Sequence, residues 1–110
     1  MLTPWGEALD KNAVLQEYPR PQLVRESYYK LNGLWDYAIT ASDACPGAWD
    51  GEILVPFSPE APLSGVGRIL KPGQVLWYRR TLPFAKQDGG RMLLHIGAAD
   101  QRVWVYVNGL

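Results

Sequence analysis

The sequence predicts an all-β fold, and three observations support this class. Glycine and proline, which interrupt regular structure, occur 11 and 9 times in 110 residues. Tryptophan and tyrosine, which are enriched in strands, occur five and six times. Several short segments alternate apolar and polar residues and are bounded by turn residues, with no clear helix between them. This combination is typical of an antiparallel sandwich or barrel.

The first half of the chain divides into a lead-in and the start of the sheet. Residues 1–32 show weak periodicity and are predicted to be extended, with room for one or two helical turns in residues 8–18. A half-buried strand is predicted over Leu34–Thr40, because Trp35, Tyr37 and Ile39 alternate with smaller or polar residues. A loop over 41–51 and a short strand over 52–56 follow.

The second half carries four more strand predictions, over residues 68–71, 74–84, 91–96 and 101–107. The last has valines on one face and Trp104 and Tyr106 on the other, which is typical of a central strand covered on both faces. Asn108-Gly109 then favours a type I′ hairpin turn, so a return strand is expected from about Leu110. We therefore expect a domain over residues 33–110 that is incomplete at its C-terminal side. Its unpaired edge predicts edge-to-edge association.

Charge and cysteine content exclude several classes of function. The formal net charge is zero, which gives no electrostatic footprint for nucleic acid or an anionic membrane. Cys45 is the only cysteine, so the chain cannot form an internal disulfide. The sequence does not open on a basic stretch followed by an apolar one, so no signal peptide is expected and a cytoplasmic location is predicted.

A succession of short motifs resembles the N-terminal domain of family 2 glycoside hydrolases, the group of β-galactosidases, β-glucuronidases and β-mannosidases. Tyr28 departs from the pattern, since many members carry tryptophan there. The motifs span nearly the whole chain and occur in this order: Trp5-Gly6-Glu7, Tyr18-Pro19-Arg20-Pro21-Gln22, Leu31-Asn32-Gly33-Leu34-Trp35, Ile53-Leu54-Val55-Pro56-Phe57, Leu63-Ser64-Gly65, Leu76-Trp77-Tyr78-Arg79-Arg80, Leu94-His95-Ile96-Gly97-Ala98-Ala99-Asp100 and Val105-Tyr106-Val107-Asn108-Gly109.

This resemblance implies a jelly-roll β-sandwich of the galactose-binding-domain type, known as the sugar-binding domain. It also implies downstream immunoglobulin-like and TIM-barrel domains, with two catalytic glutamates in the barrel. A retaining mechanism on β-O-glycosidic bonds requires those carboxyl groups to lie about 5 Å apart. The segment itself is then non-catalytic, supports the barrel and lines part of its substrate pocket. No cofactor and no metal are expected.

Asn108 and Asp100 are the candidate substrate-binding residues. In some family members the asparagine of the matching Asn-Gly turn contacts the sugar, which implies that Asn108 hydrogen-bonds a substrate hydroxyl. Asp100 ends the loop that begins at Gly97. In the family the matching loop lies on the side of the sandwich that approaches the barrel, which implies that Asp100 lies near the substrate. The alternative interpretation gives both residues local roles, Asn108 in the hairpin turn and Asp100 in a side-chain turn that anchors its loop.

Other residues with chemical potential are interpreted as structural. His95 is taken as a surface or structural histidine, and Cys45 as an unreactive thiol without a histidine nearby. The glycine-bearing stretch 64–67 lacks the strand–loop–helix context of a phosphate site. For Arg79-Arg80 we expect an ion pair within the sandwich, and the partners considered are Asp36, Glu52 and Asp100. Six aromatic residues could stack on a free glycan, but we interpret them as part of the core and of an interdomain surface. They are Trp35, Tyr37, Trp77, Tyr78, Trp104 and Tyr106.

Two alternatives to the hydrolase domain stay open at this point. One is a free-standing carbohydrate-binding module, which would bind sugars in isolation. The other is a non-enzymatic interaction β-sandwich without sugar affinity. The extent of the downstream reading frame and direct sugar titration would separate the three functions.

Overall fold

The computed structural model describes residues 2–17, 21–84 and 88–110, and its main element is a small antiparallel sheet. The strand order is β2–β1–β3, so β1 lies in the centre. Little helix accompanies it, which agrees with the all-β prediction. The elements are helix α1 (Pro4–Glu7), strands β1 (Gly33–Thr40), β2 (Gly51–Val55) and β3 (Val75–Arg79), and 3₁₀ turns at Pro21–Leu23 and Pro62–Ser64.

Strand β1 confirms the predicted strand and its faces. It pairs with β2 so that Trp35 lies opposite Ile53, and with β3 so that Tyr37 lies opposite Tyr78. Residues paired directly across antiparallel strands point to the same face. Trp35, Tyr37 and Ile39 therefore share one face, as their alternation predicts.

The lead-in contains one short helix, and it lies earlier than predicted. Helix α1 begins after Thr3, whose Oγ1 accepts a hydrogen bond from the Gly6 amide at 3.2 Å. Pro4 occupies the first helical position, where its lack of an N–H carries no cost. The prediction of helical turns within residues 8–18 is wrong for the described part of that range, where only turns and bends occur. A capping residue followed by proline decided the start of the helix, rather than apolar periodicity.

The buried core is small and lies around the first two strands. Ile53 is 0% exposed and Leu54 2% exposed, so both faces of β2 are covered there. Tyr37 and Ala38 of β1 are also buried. The lead-in contributes Val14, which is fully buried and whose carbonyl accepts a hydrogen bond from Asn32 Nδ2 at 3.3 Å. The predicted lead-in thus packs as part of the same core.

Three of the predicted strands, one before β3 and two after it, are wrong. The described residues 68–71, 91–96 and 101–107 form no strand, and β3 itself ends at Arg79. All residues in 88–110 are exposed. A strand exists only where a neighbouring strand accepts and donates its backbone hydrogen bonds, and alternation in the sequence does not supply that neighbour. None of the described helices is both long and apolar enough to cross a membrane.

The Asn108-Gly109 turn forms as predicted. Both residues have positive φ, 54° and 83°, as a type I′ turn requires. The amide of Leu110 donates to the Val107 carbonyl at 3.2 Å, and the Val107 amide donates back to Leu110 at 3.1 Å. Local backbone preference is therefore enough to form this turn, even though the segment before it is not paired in a sheet.

Candidate functional site

The two predicted substrate-binding residues lie in the exposed C-terminal segment. Asn108 is the first central residue of the type I′ turn, so its side chain projects from a fixed backbone position. Asp100 is also exposed, and its Oδ1 accepts a hydrogen bond from the Gln101 amide at 3.0 Å. This local bond resembles the anchoring role proposed for Asp100. Neither side chain is committed to a distant partner in any bond described for it.

An ion pair between β1 and β3 fulfils one of the predictions for Arg79. Asp36 and Arg79 lie directly opposite each other in the sheet. Both Nη2 and Nε of Arg79 donate to Asp36 Oδ2, at 2.7 and 3.0 Å. Charge-assisted hydrogen bonds of this kind attract the two side chains and also fix their relative orientation. Of the three carboxylates considered, Asp36 is the partner.

Trp49 completes this side of the site, and the sequence interpretation missed it. The Arg79 guanidinium lies 4.4 Å from the centroid of the Trp49 ring, a cation–π distance. Trp49 belongs to the loop between β1 and β2, which was interpreted only as a connection. Its position directly before the strand Gly51–Val55 is the signal that could have placed it near the sheet, because a strand fixes the residues next to it.

Arg80 and Trp35 form a second arginine–tryptophan pair nearby. Arg80 Nη1 donates to the carbonyls of Leu31 and Asn32, which tie the end of β3 to the start of β1. Its guanidinium lies 5.9 Å from the Trp35 ring centroid. Trp35 Nε1 donates to the Leu31 carbonyl at 2.7 Å. Arg80 thus holds residues 31 and 32, directly before β1, in place.

Tyr78 joins the same face as Trp35. Their rings meet edge to face, with centroids 6.4 Å apart, an arrangement that aromatic pairs prefer. Partial burial, followed by the negative charge of Glu60, raises the pKa of the Tyr78 phenol above its ordinary value of 10.0. The phenol is therefore a neutral hydrogen-bonding group at physiological pH.

The six residues Trp35, Asp36, Trp49, Tyr78, Arg79 and Arg80 are called the Arg–Trp cluster below. Its members come from both faces of the β1–β3 pair, so it is a band around the sheet rather than one pocket. Partly exposed aromatic faces and guanidinium N–H groups are the chemistry that contacts carbohydrates. The one carboxylate of the cluster, Asp36, is paired with Arg79.

A broad concavity separates the C-terminal segment from the sheet. It is lined on one side by Asp100 and Asn108 and on the other by Trp35, Tyr78 and Arg79. Its volume of about 3060 Å³ greatly exceeds the roughly 300–1,000 Å³ of ordinary ligand pockets. It is therefore too large to be an ordinary ligand pocket. The predicted substrate-binding residues and most of the Arg–Trp cluster border the same space.

The remaining candidates occupy unremarkable positions. His95 and Cys45 are both exposed. Ser64 is buried, and its hydroxyl donates to the Ala61 carbonyl at 2.7 Å and accepts from the Val66 amide at 3.1 Å. Ser64 therefore stabilises its own turn. Within the described ranges, no group of three or more histidine, cysteine or acidic residues is placed to hold a metal ion.

No family model and no curated protein matches this chain. The functional interpretation therefore depends on the geometry above and on the resemblance of the motifs.

Proposed function

We propose that this chain belongs to the N-terminal sugar-binding domain of a family 2 glycoside hydrolase, a retaining enzyme that hydrolyses β-O-glycosidic bonds. In this proposal the domain is a jelly-roll sandwich and carries no catalytic residue. It supports a downstream TIM barrel, next to an immunoglobulin-like domain, and lines part of the barrel's substrate pocket.

One observation supports this proposal above the others. Three of the motifs that carry the resemblance become the three strands of one sheet. Leu31–Trp35 leads into β1, Ile53–Phe57 contains most of β2, and Leu76–Arg80 contains most of β3. Motifs that pair in space are constrained together, which explains why they would recur together in a family.

The concavity is compatible with the proposed role. A space too large for a sugar but bordered by aromatic rings, guanidinium groups and Asn108 suits the approach of a second domain. In the proposal the barrel fills most of it, and Asn108 reaches the substrate from the rim. The type I′ turn fixes the backbone from which the Asn108 side chain projects, which removes part of the entropic cost of a hydrogen bond to a sugar hydroxyl.

The reading frame downstream of residue 110 provides the first test. We expect it to encode a barrel with two glutamates, and a stop codon shortly after residue 110 would contradict the proposal. The 110-residue chain alone should not hydrolyse chromogenic β-glycosides. It should also show no measurable binding of galactose, glucuronate or mannose, because the barrel supplies most of the contacts.

A pair of variants in the whole enzyme tests the role of Asn108. Asn108→Gly keeps a residue that tolerates positive φ and removes only the amide, so kcat/KM should fall about tenfold or more for the loss of one hydrogen bond to substrate. Asn12→Ala removes another exposed asparagine away from the concavity and should leave kcat/KM unchanged. Equal kinetics for Asn108→Gly and the parent enzyme would assign Asn108 to the turn alone.

A free-standing carbohydrate-binding module is the second candidate, and the exposed aromatics favour it. Trp104 is 60% exposed and Tyr106 59% exposed, which leaves their ring faces open for stacking on sugar rings. Micromolar binding of a β-linked oligosaccharide by the 110-residue chain, lost in Trp104→Ala, would support the module over the hydrolase domain.

A further inference from the structure

Residues 103–107 are an exposed apolar strand sequence without a strand partner. They read Val-Trp-Val-Tyr-Val and contain no charge, no proline and no glycine. Their exposed fractions lie between 48% and 60%. Uncharged segments of this kind, rich in β-branched and aromatic residues, are those that pair with other chains when they are left open.

We propose that the 110-residue chain forms a symmetric dimer in which residues 103–107 of two copies pair as antiparallel strands. The two-fold axis passes beside Val105, so Val105 lies opposite its own copy. The interface is isologous, which means that the same surface serves both partners and the assembly closes at two subunits. This inference concerns the chain itself and does not depend on the proposed function.

The register follows from the symmetry of the sequence about Val105. Pairing around that residue places Val103 opposite Val107 and Trp104 opposite Tyr106. One face of the ribbon then carries only valine pairs, and the other carries only aromatic pairs. Aromatic and β-branched cross-strand pairs are among those that stabilise sheets, at roughly 0.2–1 kcal/mol each.

The flanking residues fit the same register. Arg102 lies opposite Asn108, so no like charges meet across the ribbon. The guanidinium of Arg102 lies 5.9 Å from the Trp104 ring, on the aromatic side. The type I′ turn at Asn108-Gly109 ends the strand, which limits the ladder to this short segment.

The sheet edges are poorer partners than a second copy of the same segment. Strand β2 carries Glu52 and strand β3 carries Arg79, and charged residues on edge strands oppose pairing with another chain. Arg79 is in addition held by Asp36. Residues 103–107 carry no such charge, so self-pairing meets the least opposition.

Sedimentation velocity of the full 110-residue chain tests the dimer and its register. The parent chain should sediment as a dimer at high concentration and dissociate on dilution. Val105→Lys and Val105→Glu each place like charges directly opposite one another, so each variant alone should be monomeric. An equal mixture of the two should recover the dimer, because opposite charges then face each other.

Leu93→Lys is the matched control, since Leu93 is a comparably exposed apolar residue of the same segment at 66%. It should leave the dimer intact, and circular dichroism should show the same sheet content in all variants. A monomeric parent chain, or dimers that persist in Val105→Lys, would overturn the proposal. Loss of the dimer in Leu93→Lys, or failure of the mixture to dimerise, would show general apolar association or another docking site in place of this register.

Discussion

At the scale of single residues, burial concentrates the stability of this chain at very few positions. Ile53 and Leu54 are neighbours on a strand and point to opposite faces, yet both are buried. Their burial shows that both faces of the sheet are covered at β2. The alternation of the sequence predicts which residues share a face, but it does not predict that both faces are covered here.

Ile53→Val should lower the free energy of unfolding by about 0.5–1.5 kcal/mol, because it removes one methylene group from a fully buried site. Urea denaturation followed by circular dichroism measures the change. The control is Ile69→Val, the same substitution at a residue that is 76% exposed, and it should change stability by less than about 0.5 kcal/mol. Equal losses in both variants would mean that Ile53 is not a core residue.

Tyr78 should make stability depend on alkaline pH. Its raised pKa means that the folded chain keeps the phenolic proton at a pH where the unfolded chain has released it. The stability that the protonated Tyr78 phenol contributes is complete below the ordinary tyrosine pKa of about 10. It is lost as the pH rises through the raised pKa that Tyr78 has in the folded chain. Urea denaturation at about pH 9 and about pH 11 should show the loss.

Tyr78→Phe provides the control for this pH dependence. The variant keeps the ring that meets Trp35 and removes the titrating hydroxyl. Its loss of stability between the two pH values should be smaller than that of the parent chain. The same loss in both chains would assign the alkaline dependence to other groups.

At the scale of elements, predicted strands formed where another strand lies alongside to pair with them. Predicted strands without such a neighbour did not form. Strand β1 extends one residue beyond the prediction, to Gly33. The loop before β2 is confirmed as far as Asp50, because β2 begins at Gly51, one residue earlier than predicted. The segments 91–96 and 101–107 alternate at least as well, but the structure gives them no ladder. Periodicity reports which side chains would share a face, whereas pairing is decided by a second strand elsewhere in the chain.

Gly33→Ala should destabilise the sheet by more than about 1 kcal/mol. The φ of Gly33 is +125°, a conformation that residues with a side chain rarely adopt. The position also begins β1, where Arg80 lies 3.5 Å from the site of an added Cβ. Thermal or urea denaturation measures the effect.

Gly47→Ala is the matched control for this substitution. No atom lies within 4 Å of an added Cβ at Gly47, and its φ is outside the left-handed region. The variant should be neutral or more stable by up to about 1 kcal/mol, because alanine restricts the unfolded chain. A Gly33→Ala chain as stable as Gly47→Ala would contradict the backbone argument.

At the scale of the whole molecule, more large apolar residues of the described chain are exposed than buried. The described part of the chain buries five apolar residues, namely Val14, Tyr37, Ala38, Ile53 and Leu54. Every residue in 88–110 is exposed, including Trp104 and Tyr106. A core of this size offsets little of the entropy lost on folding, so the monomer should be marginally stable.

Urea unfolding of the chain at a concentration where it is monomeric should therefore be broad. We expect an m-value at or below about 1 kcal/mol/M, the lower end for small proteins, because m scales with the surface that unfolding exposes. A dye that binds exposed apolar surface should bind the native chain. A steep transition without dye binding would show that residues 88–110 pack onto the sheet in solution.

The sequence by itself determined the all-β class, the first strand with its two faces and the type I′ turn, because these depend on periodicity and local backbone preference. It also predicted a carboxylate partner for the Arg79-Arg80 pair, with Asp36, Glu52 and Asp100 as the candidates. Only the tertiary structure selected Asp36, brought Trp49 onto the guanidinium and buried Val14 of the lead-in. Those outcomes depend on which strands pair and in what register, and such long-range contacts leave no local signal in the sequence. For the same reason, the sequence predicted residues 103–107 as a strand with one unpaired edge, but it did not show that the segment has no strand partner on either side.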